Sequence, residues 1–231
     1  MDPSQSNTIQ GDKMIEITRI PCGPIMTNSY ILEQTRENFA WVVDPAEGKP
    51  ILDFLKTHRL ELKGILLTHG HFDHIIGIST LLDSHPDCQI FLHPEDLECL
   101  YDPEMNGSTS FYQPFFISRS KQITPYPELL DLAGESFSVI ETPGHTPGSV
   151  TILNSDSMIT GDFLFKDTIG GTDFLRSSPK EMQESLRKMI HRMQSAEKEI
   201  TVYPGHYDTT TWQNELLSNP FLARISRHKG Q

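Results

Sequence analysis

Apolar residues recur along the chain in two rhythms. Residues 14–20, Met-Ile-Glu-Ile-Thr-Arg-Ile, alternate with the two-residue period of a half-buried strand. Residues 28–32 and 40–45 predict the next two strands. Across 49–59, Ile51, Leu52 and Leu55 fall at helical spacing and predict a surface helix. Residues 64–67, Gly-Ile-Leu-Leu, form a short apolar run suited to a buried strand, and helical spacing returns over 75–82. A further strand is expected over 89–93 and a short helix over 94–100. Residues 101–124 mix Asn, Gly, Ser, Tyr, Phe and Pro without a period and predict a long loop. Such loops on a rigid scaffold often shape substrate sites. Residues 136–141 alternate, 150–153 and 158–160 predict a hairpin, and 200–203 is the last strand expected. The clearest amphipathic helix is 179–196, with Met182, Leu186, Met189, Ile190 and Met193 on one face. A Met stripe at that spacing is core packing. A terminal helical segment is expected over 214–221, and no tandem repeat is visible. Periodicity alone supports a mixed α and β fold.

Between the strand at 64–67 and the helix after it lies Thr68-His69-Gly70-His71-Phe72-Asp73-His74, in which four of seven residues are potential metal ligands. His69 and His71 are two apart, so both lie on one side of an extended backbone. Gly70 between them has no side chain to keep the backbone away. Asp73 and His74 follow as the helix opens, so their side chains can point at a second position near the first. A strand-to-helix turn needs none of these residues, and burying them unpaired is costly.

The run His-Gly-His-Phe-Asp-His resembles the His-x-His-x-Asp-His signature of metallo-β-lactamase-fold hydrolases. Later stretches resemble that family in the same order: His145 in Glu141-Thr142-Pro143-Gly144-His145, Asp162 in Thr160-Gly161-Asp162-Phe163, and His206 in Tyr203-Pro204-Gly205-His206. The resemblance is to the short glyoxalase II-like branch and runs from about Met14 to Leu222. It implies an α/β (α+β) fold, a four-layer αββα sandwich. One domain over 14–231 is expected to follow a polar tail at 1–13. Carried over from the family, His69, His71 and His145 hold a first metal. Asp73, His74 and His206 hold a second, and Asp162 bridges both. Asp73 and Asp162 thus sit at the catalytic centre itself. The implied cofactors are two Zn²⁺ per chain, and an N/O donor set does not exclude Fe or Mn. Two cations about 3.5–4 Å apart share one water and lower its pKa from about 15.7 toward about 7. Hydroxide bridging the metals is then the nucleophile, and no Ser or Cys is required. Asp44 in Val43-Asp44-Pro45 either braces the metal loop or caps a turn. His93, before Pro94, resembles a position that is not a ligand in the family.

The segment Gly161-Asp162-Phe163-Leu164-Phe165, with Ile169-Gly170-Gly171-Thr172-Asp173-Phe174 after it, resembles short glyoxalase II-like proteins. That implies a small-molecule thioester substrate, S-D-lactoylglutathione, hydrolysed to D-lactate and glutathione. Two departures weaken the expected hold on glutathione. The family's basic residue after Ile-Gly is Gly171, and Lys166 or Arg176 would have to replace it. The helical domain that long glyoxalase II enzymes carry after the last His does not follow His206. The alternative reading is a persulfide dioxygenase, with one Fe(II) held by His69, His145 and Asp162. A non-enzymatic scaffold or electron-transfer partner fits poorly with seven intact ligand positions.

Composition narrows the partners. The 231 residues carry a formal net charge of −12, which argues against nucleic acid, because phosphate binding needs clustered Lys and Arg. Cys22, Cys88 and Cys99 lack zinc-finger spacing and read as ordinary thiols of a reducing compartment. No apolar run is long enough for a membrane span. Residues 1–13 lack the apolar core of a secretory signal. A cytoplasmic protein is therefore expected, with its oligomeric state left open.

Overall fold

The computed structural model describes residues 14–117 and 123–227; the tail expected at 1–13 lies outside them. The chain enters through β1 (Ile15–Cys22), β2 (Thr27–Gln34) and β3 (Phe39–Val43), an antiparallel meander. Helix α1 (Gly48–His58) then crosses over to β4 (Glu61–Leu66), which lies parallel to β3. Short helices α2 (Phe72–Ile75) and α3 (Ile78–Ser84) lead to β5 (Gln89–Phe91), parallel to β4. A 3₁₀ segment (Pro94–Leu100) and α4 (Ser108–Phe111) precede β6 (Ile123–Thr124), which completes a six-stranded sheet in the order β1-β2-β3-β4-β5-β6.

The second sheet is built from β7 (Leu129–Leu132), β8 (Glu135–Glu141), β9 (Val150–Leu153) and β10 (Ser157–Gly161) as an antiparallel run. A small ribbon, β11 (Leu164–Phe165) with β12 (Thr168–Ile169), follows. Helix α5 (Pro179–Arg192) crosses to β13 (Thr201–Pro204), parallel to β10. The edge strand β14 (Thr210–Thr211) completes the order β14-β13-β10-β9-β8-β7, and α6 (Trp212–Ser218) and α7 (Pro220–Arg227) end the described chain.

Strand side chains alternate between two cores. In β2, Tyr30 and Leu32 enter a core shared with Leu130, Phe137, Ile152 and Ile159 of the second sheet. Ile31, between them, enters a different core with Ile51 and Leu55 of α1 and Leu81 of α3. The second sheet divides likewise: Ile159 faces the first sheet, while Met158 packs with Met182, Leu186 and Met189 of α5 and Leu222 of α7. Each sheet is therefore buried on both faces, and the layers run helix, sheet, sheet, helix. A strand covered on both faces has no solvent-facing side, as in β2, where seven of eight residues are buried.

Several boundaries depart from the periodicity. The helix expected over 75–82 is two helices. At the break the N–H of Gly77 donates to the Pro45 carbonyl at 2.7 Å. A Cβ on Gly77 would lie 2.7 Å from that oxygen, so the chain is pinned against the β3–α1 turn. The expected terminal helix is also two. Asn219 is extended, with ψ 118°, as a residue before proline tends to be, and its Oδ1 accepts from Phe221 N–H at 3.0 Å to start α7. β14 follows the strand expected to be last; two residues are too few to show a period. Helix α5 begins where its sequence says, with Ser178 Oγ accepting from Glu181 N–H at 3.2 Å and Pro179 in the first turn. It ends at Arg192, short of the expected 196. The segment 101–124 contains α4 and β6, and Asn106 Nδ2 knits it together by donating to the carbonyls of Cys99 (2.8 Å) and Phe115 (2.9 Å).

Candidate metal centre

The seven residues singled out in the sequence come together where strands of both sheets end. His69 and His71 follow β4, and Asp73 and His74 lie in α2. His145 is on the β8–β9 turn, Asp162 directly follows β10, and His206 follows β13. One group is His69, His71 and His145, and another is Asp73, His74 and His206; within each, the ligand atoms all lie within 4.8 Å of one another. The Asp162 carboxylate stands between the groups. Its Oδ2 is 3.4 Å from His145 Nε2 and 3.5 Å from His206 Nε2, and its Oδ1 is 3.4 Å from His74 Nε2.

The outward nitrogen of three imidazoles is tied to a fixed acceptor. His74 Nδ1 donates to Asp44 Oδ2 at 2.9 Å, and His145 Nδ1 donates to the Gly171 carbonyl at 2.8 Å. Thr68 Oγ1 donates to Asp44 Oδ2 at 2.6 Å, so its oxygen accepts from His69 Nδ1 at 3.1 Å. With the proton held at Nδ1, the Nε2 lone pair of each ring faces the centre. His71 presents the opposite nitrogen, its Nδ1 lying 2.8 Å from His145 Nε2. The centre also concentrates unmet polar atoms. His69 Nε2, His74 Nε2 and Asp162 Oδ1 are buried without a hydrogen-bond partner. Buried polar atoms rarely stay unpaired, and three gathered in one centre, with imidazole and carboxylate but no thiolate around them, fit cations of the zinc type.

Electrostatics points the same way. Burial, reinforced by the neighbouring imidazoles, holds His69 well below the usual histidine range and His71 at about 3. Burial also opposes charge on His74, yet Asp73, Asp162 and Asp44 together hold it well above its usual value. Against burial, the carboxylates of Asp162 and Asp73 raise His206 to about 9. Both carboxylates are held far below the usual range despite burial, by the neighbouring imidazoles of His74 and His206. The two acids are therefore ionised and offer negative charge to a cation.

Asp44 braces the turn that carries His69 and His74. It is 1 % exposed, and beyond His74 and the Thr68 hydroxyl it accepts from Thr68 N–H at 2.7 Å. A second buried acid, which no local pattern marks, does the same for two loops at once. Asp96 accepts from Gly70 N–H (2.9 Å), Thr146 Oγ1 (2.7 Å) and Gly148 N–H (2.8 Å), joining the His69–His71 turn to the His145 turn. Its position inside Pro-Glu-Asp-Leu-Glu looks like one acid among several on a helical turn. Asp73 is held by Thr27, whose Oγ1 donates to Oδ2 at 2.6 Å. Two glycines admit backbone close to the ligands. A Cβ on Gly205 would collide with Asp162 Oδ1, and Gly161, at φ +49°, would drive one into Thr68.

His93 stands apart from the centre; its Nδ1 accepts from Glu95 N–H at 3.3 Å and its Nε2 lies 3.3 Å from Glu141 Oε1. All three cysteines are buried and none belongs to either ligand group. Arg176 donates to the Glu95 carbonyl at 3.0 Å, and Lys166 lines a separate recess beside Asp167 and Glu215. A cavity of about 690 Å³ opens over the centre. His71, Asp162 and His206 form part of its floor, and the rings of Phe111, Phe165, Phe174 and Tyr207 form walls.

A paired His/Asp centre on the edge of an αββα sandwich defines a metallo-hydrolase class. The family description "Metallo-beta-lactamase superfamily" matches residues 22–206, and the chain belongs to that superfamily. A Bacillus subtilis (strain 168) protein described as "Probable metallo-hydrolase YqgX" is 33 % identical over 220 residues, covering 90 % of this chain and 98 % of that one. A hydroxyacylglutathione hydrolase of Pectobacterium carotovorum subsp. carotovorum (strain PC1) is 30 % identical over 215 residues, 90 % of this chain and 77 % of the relative. Among solved structures, the BLEG-1 B3 metallo-beta-lactamase superposes with TM-score 0.82 at 32 % identity, covering 90 % of this chain and 99 % of that one. TTHA1623 in a di-iron-bound form superposes with TM-score 0.74 at 30 % identity, covering 89 % and 100 %. No described helix is long and apolar enough to cross a membrane.

Proposed function

We propose that the protein is a metal-dependent thioesterase that holds two divalent ions, zinc in the first instance, and hydrolyses small acyl thioesters of the S-D-lactoylglutathione type. The observation that carries this reading is a set of buried atoms without a hydrogen-bond partner, one in each ligand group and one on the carboxylate between them: His69 Nε2, His74 Nε2 and Asp162 Oδ1. His69, His71 and His145 would hold one ion and Asp73, His74 and His206 the other, with Asp162 shared. When bound, such ions supply Lewis acidity toward a carbonyl oxygen and an activated water. The chain does the rest. Asp44, Asp96 and the Gly171 carbonyl fix the ligand side chains and loops, and the buried ring of Phe165 lies beside His206 at the inner end of the cavity. The superfamily membership supports a hydrolase, the Pectobacterium relative's name supports the thioester, and the di-iron form of TTHA1623 keeps iron in view as the metal.

A single iron on His69, His145 and Asp162 would leave Asp73, His74 and His206 without a cation, with His74 Nε2 still unpartnered. Two ions satisfy both groups. The test is elemental analysis of the purified protein with parallel assays on S-D-lactoylglutathione and glutathione persulfide. Two metals per chain and release of free thiol are expected. One iron per chain with stoichiometric O₂ uptake on the persulfide would overturn the reading.

A further inference from the structure

The cavity over the centre has a charge character that its floor does not explain. Apart from the His and Asp side chains of the centre, its ionisable lining among the described residues is Glu104, Asp173 and Tyr207, with no Lys or Arg. Glu104 and Asp173 are exposed, and among the described residues neither forms an ion pair with Lys or Arg. The nearby cations are engaged elsewhere. Arg176 is turned onto Glu95. Arg19, in an adjoining recess, donates to the Tyr207 carbonyl at 3.0 Å and pairs with Asp208 at 3.4 Å. What the mouth offers instead is aromatic surface. Phe111 and Phe174 meet edge to face with centroids 5.8 Å apart, and Phe111 and Tyr207 are 61 % and 66 % exposed.

We infer that this mouth selects substrates whose half beyond the scissile bond is neutral or cationic and is held by aromatic contact, with Glu104 and Asp173 as the residues that disfavour anionic groups. The inference rests on the hydrolase reading above and deepens it by naming the substrate class. A carboxylate entering the cavity meets two unpaired carboxylates beside apolar walls, where like-charge repulsion is screened less than in open water. Ring faces, by contrast, accept neutral groups and attract cations. Glutathione brings two carboxylates and one ammonium, a net negative charge, so its thioesters are poor members of the class. Any ions in the floor are the same in the wild type and in variants at Glu104 and Asp173, so the change between those proteins reports the mouth alone.

The experiment uses the full-length, metal-loaded protein and two matched substrates: S-D-lactoylglutathione and the same thioester with both glutathione carboxylates methylated. The acyl group and scissile bond are identical, and the net charge changes from negative to positive. The diester is expected to show the higher kcat/KM by about tenfold at low ionic strength, the ratio shrinking as salt screens the mouth. E104Q and D173N, conservative changes at exposed positions, should each move the ratio toward one, mainly through KM. Turnover of both substrates with a ratio at or below one, or a ratio that the E104Q/D173N double variant leaves unmoved, overturns this inference alone. No turnover of either by folded, metal-loaded protein overturns the hydrolase reading and this inference with it.

Discussion

Asp44 and His74 meet 2.9 Å apart in the interior, Oδ2 against Nδ1, with the carboxylate 1 % and the imidazole 0 % exposed. The contact fixes the His74 tautomer and turns Nε2 toward the centre. Asp44 sits at φ 48°, a conformation that Asp and Asn tolerate better than most residues, so the turn after β3 and the bracing role select the same side chain. Replacing a hydrogen-bonded partner of a metal-ligating His typically costs 10–100-fold in metal affinity. Asp44→Ala should therefore lose about that much at the group containing His74. It also strands two donors of Thr68, costing about 2 kcal/mol or more of stability. Asp44→Asn keeps the backbone and one acceptor and should fall between. Chelator competition and thermal melts of the three proteins check this order; unchanged metal affinity in Asp44→Ala would remove Asp44 from the centre's support.

Asp96 makes the corresponding prediction for two loops. Its carboxylate is wholly buried and takes hydrogen bonds from three groups on Gly70, Thr146 and Gly148. Asp96→Ala leaves three buried donors unmet, at about 1–3 kcal/mol each. A loss of about 3 kcal/mol or more is expected, equivalent to roughly 6–12 °C in Tm for a chain of this size. Metal content should fall as well, because the His69–His71 turn and the His145 turn lose their common anchor. Retained Tm and retained metal in Asp96→Ala would show that the loops need no tie.

These two acids show what the sequence could and could not disclose. The centre was legible because one strand-turn-helix carries His69, His71, Asp73 and His74 within six residues, a density with no structural purpose. His145, Asp162 and His206 were then reached through the resemblance, each in a stretch that matches the family's later motifs in order. Asp44 was visible but ambiguous, since a turn and a brace use the same residue there. Asp96 was invisible: its partners lie 26, 50 and 52 residues away, and no local pattern encodes such contacts. The layers followed from the resemblance, whereas the break at Gly77 is set by its tertiary contact with Pro45. Gly171 was read only for the basic side chain it lacks. Its carbonyl, which orients His145, is backbone and leaves no trace in residue identity.

The cysteines give a prediction with a definite pH direction. Burial pushes the thiols of Cys22, Cys88 and Cys99 upward, Cys88 to about 11 and Cys99 to about 12. The thiolate is the reactive form, so at pH 8 a thiol with a pKa near 12 is only about one part in ten thousand reactive. A disulfide reagent should titrate none of the three thiols in the native protein at pH 8 and all three in denaturant. The native rate should climb about tenfold per pH unit toward these raised values. Thioester hydrolysis should survive prolonged exposure to an alkylating reagent. Rapid native labelling with parallel loss of turnover would instead implicate a cysteine in the chemistry.

Gly171 connects the centre to the mouth. Its carbonyl accepts from His145 Nδ1, while its Cα faces the cavity beside Asp173 and Phe174. Its φ lies outside the left-handed region, so a side chain brings no backbone strain. A Cβ there would lie 2.8 Å from a Phe174 ring carbon and 3.1 Å from Asp173 Oδ1. Phe174 is 37 % exposed and at the rim, so the ring has room to swing aside. Gly171→Arg thus adds a guanidinium to a mouth that has no Lys or Arg among its described lining residues, while the backbone carbonyl that orients His145 remains. A charge-assisted hydrogen bond is worth about 1.5–3 kcal/mol. Asp173 competes for the new cation, so the lower end applies, about tenfold in binding. KM for S-D-lactoylglutathione should fall by that factor with kcat little changed, the pattern of added uniform binding. KM for the methylated diester should stay level or rise, since that substrate has no carboxylate to pair. Steady-state kinetics on both substrates, with circular dichroism to confirm folding, checks this. A folded Gly171→Arg with unchanged KM for the free acid would show that this position does not reach the thiol half of the substrate. An equal fall for both substrates would mean that the arginine acts through shape and not through charge.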